Sequence, residues 1–451
     1  VHRRARDLGN KGVSTKTLLS GFGIVSMAKI SALRAWRYND QLAQNIGELI
    51  SPPFDVVTSR QREALYRNPV NSIHLSVPSG EYPAQHAART LRQWQEEGII
   101  LQDKTPCIYV YYQYFQLPGL DREFCRKGFI CLIEAAFWEE NVVLRHENTI
   151  PGSVSDRIAL LESTQINASP THGLYTDPAH QLEPYMDACM QKPVYQAEDY
   201  QGVKDVLGII EDEQVIRQFL SLMSDKQVIL ADGHHRYESS LAYRRKRIAQ
   251  NPGHSGEEGY NYHLMYLSNT ESDDLKVLPT HRLIKDMPEL PIEQLLERAA
   301  AYFTVKKLED VYDIPELIVG KPWAFGLLLE EEAYKIRLKP EVLESFGGHL
   351  SEPLRHVDIV VLHHFFIDKV LGIAGEEQRK SPYISYDRSF ASCLYKIGRQ
   401  EAQMALITNG VNIEQIKEVC YSGHVLPQKS TYFYPKAICG FLFASINEDE
   451  A

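Results

Sequence analysis

Two hydrophobic periods alternate along this chain, and the switches between them mark its elements. Across residues 84–98 the apolar side chains Ala88, Leu91 and Trp94, continued by Ile99, fall near one stripe and predict an amphipathic helix. Residues 107–116, with tyrosines at 109, 111, 112 and 114, read as an aromatic strand. A glycine-bearing turn at 118–121 leads to a second strand over 128–137, and 142–145 forms a third. Before these, Pro52 and Pro53 force an extended backbone; Thr58 or Ser59 caps a helix over 60–67, and Asn68-Pro69 stops it. A strand is expected at 72–77, helices at 155–164, 182–191 and 213–224, and strands at 262–267 and 276–278. After residues 287–291, with Pro288 and Pro291, the pattern changes. A helix over 292–302 and strands at 303–307, 323–329 and 333–338 suggest an antiparallel α+β layer. An apolar helix over 357–370, a segment at 401–406 that fits strand or helix, and an apolar strand over 437–443 complete a mixed α/β (α+β) chain.

One stretch combines a strand, a turn and a helix with dense polar chemistry. Val228 to Leu230 read as a buried parallel strand, Ala231-Asp232-Gly233 as a sharp turn, and His234 onward as helix. Tyr237, Leu241 and Ile248 share one helix face, with Arg244, Arg245 and Lys246 elsewhere. A helix N-terminus presents free N–H groups and partial positive charge, which favours phosphate or carboxylate. Asp232, His234, His235 and Arg236 crowd that turn: Arg can hold phosphate through two parallel bonds, and Asp or His can move a proton or hold a metal. Capping and solubility alone would not need four such side chains in five positions.

A second polar stretch runs from Leu144 to Arg157. His146 and Glu147 point to opposite faces if the backbone is extended, so only one would face a given site. With Asp156 and Arg157 they lack the His-Glu-x-x-His spacing of a zinc site. Thr280, His281 and Arg282 could add anion contacts or simply alternate on a strand. Lys429, Ser430, Thr431 and Lys436 could also bind anions, but alone they read as loop hydrogen bonds, and His363-His364 as a packed or surface pair.

Length and charge narrow the classes. A chain of 451 residues suggests two or three domains, and a net charge of −11 argues against a nucleic-acid-binding surface. Seven scattered cysteines without a CxxC read as reduced thiols in a cytoplasm, and no apolar run has the length of a membrane span. The first 26 residues hold Arg3, Arg4, Arg6, Lys11 and Lys16 against Asp7. A transit segment or disordered arm would fit, but Met27-Ala-Lys-Ile looks like a natural start, so an over-extended reading frame is preferred and no fold is expected before Lys29. The expected division is a non-structural extension (1–28), an α/β core region (29–288) and a C-terminal α+β region (289–451).

Five separated motifs carry a resemblance: Pro52-Pro-Phe-Asp-Val56, His146-Glu-Asn-Thr-Ile-Pro-Gly152 with Asp156-Arg157, Ala231-Asp-Gly-His-His-Arg-Tyr237, Leu278-Pro-Thr-His-Arg-Leu283 and Gln428-Lys-Ser-Thr-Tyr-Phe-Tyr-Pro-Lys436. From about Ile30 the chain resembles the bacterial and archaeal family called domain of unknown function 1015. Gly233-His-His-Arg-Tyr237 is similar to the phosphate box of the partition-protein and sulfiredoxin (ParB/Srx-like) superfamily, which includes free-serine kinases. The resemblance implies a ParB/sulfiredoxin-like phosphate-binding core, a link to serine metabolism, and phosphate ligands at Gly233, His235 and Arg236. His234 stands where sulfiredoxins have their nucleophilic cysteine, and no basic helix-turn-helix of the partition proteins is present. The kinase branch uses a carboxylate to activate a hydroxyl; Asp232, Glu147 and Asp55 are the candidates.

The function expected is therefore a phosphotransferase acting on a small hydroxyl metabolite such as serine, with Mg²⁺ and a nucleotide or other phosphate donor. The candidate catalytic residues are Asp232, Glu147 and His146, and the phosphate-binding ones Gly233, His234, His235, Arg236, Arg157, His281 and Arg282. Rival readings are a nucleotide-binding, partition-like regulator and a metal-dependent hydrolase using His146, Glu147, Asp232 and His234. Only a small-molecule partner is expected; metal ligands and oligomeric state stay open.

Overall fold

The strand over Ile108–Gln116 shows how the larger layer forms. Its alternate residues feed two different cores: Tyr109 and Tyr111 one, Ile108, Val110 and Tyr112 the other. A strand buried on both faces needs a cover on each side, and helices and loops from distant parts of the chain supply it. The computed structural model describes residues 27–147, 152–345 and 351–448. The expectation for residues 1–26 and the stretch 148–151 lie outside these. Ala28 is already docked, buried and donating its N–H to the Lys226 carbonyl at 2.9 Å.

Among the described residues the large sheet has nine strands. They run in the order Val143–Arg145, Val228–Asp232, Thr171–Tyr175, Tyr262–Asn269, Glu123–Glu134, Ile108–Gln116, Lys204–Ile210 and Tyr195–Glu198, with Ile30–Ser31 pairing Glu123–Glu134. One face is covered by helices Glu183–Cys189, Glu213–Met223 and His234–Gln250, through Met186, Phe219, Met223, Tyr237 and Leu241. The other is covered by helix Pro83–Glu96, through Leu91 and Trp94, and by the C-terminal segment through Phe441 and Phe443.

A second sheet of six strands is antiparallel throughout. Its order is Phe303–Lys307, Ala333–Leu338, Ala324–Leu328, Met404–Ile407, His281–Ile284 and Ile384–Asp387. One of its cores includes Leu144, Leu174, Ile229 and Ala231 of the large sheet beside Phe325, Leu327, Leu406 and Phe433, so the two layers share apolar contact. The chain then returns: Tyr432–Tyr434 pairs with Lys276–Leu278, and Ala444–Ser445 with Ile166–Asn167.

Several expectations are corrected. The segment at 72–77 is a short helix, Ile73–Ser76, because the Asn71 side chain accepts from Ile73 N–H at 2.9 Å and starts a turn. The central strand is parallel to Val143–Arg145 but antiparallel to Thr171–Tyr175, so the sheet is mixed. Residues 437–443 are irregular, joined to the body by the bridges Ser51↔Cys439 and Trp36↔Phe443. The helix expected at 357–370 is α-helical over Asp358–Val361 and widens to π turns over Leu362–Val370. Residues 401–406 resolve as strand Met404–Ile407. Arg244 is buried, donating to Glu134, the Ala135 carbonyl and Asn261, rather than lying off the packed face.

Candidate functional site

The site is built from the turn outward. Strand Val228–Asp232 ends against Gly233, whose φ of +86° is left-handed, and helix His234–Gln250 begins at once. A Cβ at Gly233 would meet Thr171 Cγ2 at 2.6 Å, so glycine is required for both conformation and space. Gly233 has no side chain to cap the helix, which leaves its N-terminal N–H groups to other partners.

Asp232 faces two cations. Lys436 Nζ donates to Oδ1, and Arg236 Nη2 donates to Oδ2 at 3.1 Å. Burial alone would raise the Asp232 pKa; Lys436 and then Arg236 outweigh it and hold the carboxyl well below its ordinary range. Arg236 turns back along the turn, with Nη1 donating to Ser169 Oγ at 2.9 Å and the Pro170 carbonyl at 2.7 Å. Its Nε is buried without a partner.

His146 is fully buried behind the turn. Its Nδ1 lies 2.7 Å from the Leu230 carbonyl, which can only accept, so the proton sits on Nδ1. Nε2 then accepts from the Thr431 hydroxyl at 2.6 Å. Burial keeps His146 below its ordinary pKa. Its ring packs edge-on to His234, centroids 4.7 Å apart. Burial and His146 push His234 well below its ordinary pKa, its Nε2 is unpartnered, and its Nδ1 lies 3.9 Å from Glu147 Oε1. Glu147 Oε2 is also buried and unpartnered. His146 thus packs on His234 behind the turn, and of the two residues only Glu147 lines the cavity beside it, as expected for neighbours on opposite faces.

A polar cavity of about 190 Å³ opens beside this turn. Asp55, Glu147 and Asp232 line it, together with Tyr386 and Asp387 of the second sheet, Thr280 and Arg388 flanking its strands, and Lys429, Thr431, Tyr432 and Lys436 from the C-terminal segment. Arg388 stacks on Tyr432 at 3.6 Å from the ring centroid, and Lys436 lies 4.8 Å from it. Asp387 is committed to Lys396, Ser392 and the Ser389 N–H. His235 is half-buried at the helix start, its pKa lowered by burial and then by Lys429.

The remaining candidates lie apart from the cavity lining. Arg157 donates to the Ser76 carbonyl at 2.7 Å, stacks on Phe54, and lines a pocket of about 40 Å³ with Arg236. His281 accepts from Thr408 N–H at 3.3 Å and is pushed down to about 4 by burial. Arg282, fully buried, donates to His363 at 3.0 Å and to the Thr280 and Gln428 carbonyls; burial brings it down to about 10. Among the described residues no group of three His, Cys, Asp or Glu is arranged to hold a metal ion, and no helix is long and apolar enough to cross a membrane. All seven cysteines are unpaired. Sequence pattern alone does not single out Tyr386, Asp387 and Arg388, because Ile384–Asp387 carries no motif and only its pairing with His281–Ile284 brings it here.

The fold is thus a mixed α/β architecture of one large mixed sheet and one antiparallel sheet, with a polar cavity where they meet. The chain belongs to the family described as "Protein of unknown function (DUF1015)", whose profile matches residues 30–360. No curated protein matches it at a significant level. Among solved structures it is distantly similar to a conserved hypothetical protein from Pyrococcus furiosus, with 14% identity over 71% of this chain and 97% of that one, TM-score 0.37. A free serine kinase in complex with AMP gives 14% identity over 72% and 97%, TM-score 0.36. SbnI with a C-terminal truncation, from Staphylococcus aureus, gives 11% over 71% and 90%, TM-score 0.35.

Proposed function

We propose that the cavity binds a phosphate donor and transfers its terminal phosphoryl group to the hydroxyl of a small metabolite such as serine. The observation that carries this reading is one of composition at one place. Three cations, Arg388, Lys429 and Lys436, line a cavity that also holds Glu147, a carboxylate with a buried, unpartnered oxygen, and Ala231-Asp232, the strand end that leads through Gly233 into the uncapped helix. The strand–glycine–helix unit is read as a phosphate box of the partition-protein and sulfiredoxin type. Its first-turn N–H groups face the phosphate and Arg236 braces the turn.

The roles follow from what each group has left to give. Asp232 is tied by Lys436 and Arg236, and both His146 nitrogens are engaged, so they hold the architecture. Glu147 is the base. It takes the hydroxyl proton as the hydroxyl oxygen bonds to phosphorus, and the bond from phosphorus to the leaving phosphate oxygen breaks. Neutral His234 packs beside it, with Nδ1 3.9 Å from Glu147 Oε1. Mg²⁺ on phosphates needs only one or two protein carboxylates, and the exposed, hard-oxygen Asp55 at the cavity fits that need. When bound, the ion would neutralise charge on the phosphates.

The test is ³¹P NMR of wild-type protein with Mg²⁺ and ATP, ADP or pyrophosphate, against serine and other small hydroxyl acceptors. One pair should give a phosphomonoester. Glu147→Gln should lower kcat by roughly 10²–10⁴-fold with donor affinity little changed, while Asp55→Asn should raise the Mg²⁺ requirement. No product from any pair, or full turnover by Glu147→Gln, would overturn the reading.

A further inference from the structure

Beneath the cavity the large sheet carries a polar row where an apolar one would be cheaper to bury. Gln113 is the direct cross-strand neighbour of Arg126 on one side and of Asp205 on the other. Gln113 and Asp205 are fully buried and Arg126 is 1% exposed. Gln113 Oε1 accepts from Arg126, and Gln113 Nε2 donates to Asp205 Oδ1 at 2.8 Å, where the Tyr111 hydroxyl also donates. Removing such groups from water costs several kcal/mol per ion unless partners repay it. Here the compensation is incomplete, since Arg126 Nε and Asp205 Oδ2 make no hydrogen bond, and Arg126 lies over the Tyr266 ring.

The row spends its outward donors on one short piece of chain. Arg126 Nη2 donates to the Pro435 carbonyl, and Gln113 Nε2 to the Lys436 carbonyl at 3.0 Å. These are the carbonyls of the two peptide groups on either side of Lys436. Two residues on, Ile438 N–H donates to the Tyr111 hydroxyl at 3.3 Å. The segment has no ladder of its own here, because strand Tyr432–Tyr434 has ended and the next bridge is at Cys439. Side chains of the sheet therefore do what a neighbouring strand would do elsewhere, and Lys436 Nζ projects onto Asp232.

We infer that the Arg126–Gln113–Asp205 row is a positioning device for Lys436: it fixes the backbone on both sides of that residue so that its ammonium meets Asp232 at the cavity. Asp205 orients Gln113, Gln113 orients Arg126, and the two donors set the lysine. None of the three touches the cavity. The inference rests on the proposed function only for the use to which Lys436 is put.

The experiment is acetylation of the folded, full-length protein by a water-soluble succinimidyl ester, with the rate at each lysine followed by mass spectrometry. Wild type is compared with Gln113→Met, Arg126→Met and the conservative Arg126→Lys. Lys436 should be slow in wild type and faster by roughly tenfold in Gln113→Met, the size of one lost hydrogen bond. Lys429, on the same loop, should be unchanged. Arg126→Lys should lie between, and it decides the matter if Arg126→Met does not fold. In an Asp232→Asn background Gln113→Met should add little, because the ion pair it acts through is already gone. Equal acceleration of Lys429 and Lys436 would mean general loosening and overturn the inference. So would an unchanged Lys436 in variants with lowered melting temperature. These rates are read without ligand, so they test the row whether or not the cavity binds phosphate.

Discussion

Asp232 shows how the site resolves competing forces at a single residue. Burial would drive its proton on, but two cations at hydrogen-bond distance keep it charged. A buried carboxylate so held is a fixed negative charge rather than a proton acceptor, which moves the base role to Glu147. The same turn tolerates one backbone choice only. Gly233→Ala must accept a left-handed φ, at about 1–2 kcal/mol, and a contact of 2.6 Å with Thr171 Cγ2. The variant should lose at least that much stability in urea denaturation and show weakened anion binding. A loss below about 0.5 kcal/mol would mean the turn relaxes and is not tightly specified.

At the scale of elements, the cross-strand row predicts a pH effect. Burial, offset in part by Tyr111 and Gln113, pushes Asp205 up to about 7 from an ordinary 3.8. A raised carboxyl pKa means that the unfolded chain ionises first. Its contribution is fully present below pH 3.8 and is lost as pH rises through about 7. The buried histidines oppose this below their ordinary 6.5, since His172, His234 and His363 must charge. The difference between wild type and Asp205→Asn isolates the carboxyl. From pH 7 to 5 it should shift by roughly 2–3 kcal/mol in favour of wild type. A pH-independent difference would show that Asp205 is ionised in the folded protein.

The elements also show what the residues reveal in advance. Local pattern places helix Pro83–Glu96, helix Ser59–Leu65 and the central strand–glycine–helix within a residue or two, and of the two expected caps, Thr58 and Ser59, the structure uses Thr58. It fails at Ile73–Ser76, where one asparagine side chain outvotes strand propensity, and at 437–443, where apolar residues are held by side chains of another sheet instead of a ladder. Of the candidate site, the sequence motifs mark Asp232 to Arg236, His146 and Glu147, and the fold brings these residues to one turn. The Arg282–His363 contact and the arrival of Arg388 have no local signal, since they depend on contacts between segments far apart in the chain. The loop lysines, read alone as ordinary hydrogen-bonding residues, gain a site only when Tyr432–Tyr434 pairs with Lys276–Leu278.

At the scale of the molecule, the cavity exists because the chain returns. Asp55, Glu147 and Asp232 belong to the first part, Thr280 and Arg388 flank strands of the second sheet, and Lys429 and Lys436 belong to the segment that comes back across both. Lys436 is tied to Asp232 and Asp387 to Lys396, so on the proposed reading Arg388 and Lys429 are the cations that meet an incoming anion, beside Asp55 and Glu147. Arg388 and Lys429 are exposed, so removing them should leave the fold intact. The most direct measurement is isothermal titration of pyrophosphate and ATP, each with Mg²⁺, into wild type and the Arg388→Ala/Lys429→Ala variant. Wild type should bind at least one of these donors, and the variant, with an unchanged melting temperature, should bind it at least roughly tenfold more weakly, since a charge-assisted contact contributes about 1.5–3 kcal/mol. Equal binding by the two proteins, or no binding of either donor by wild type, would contradict a phosphate site at this turn.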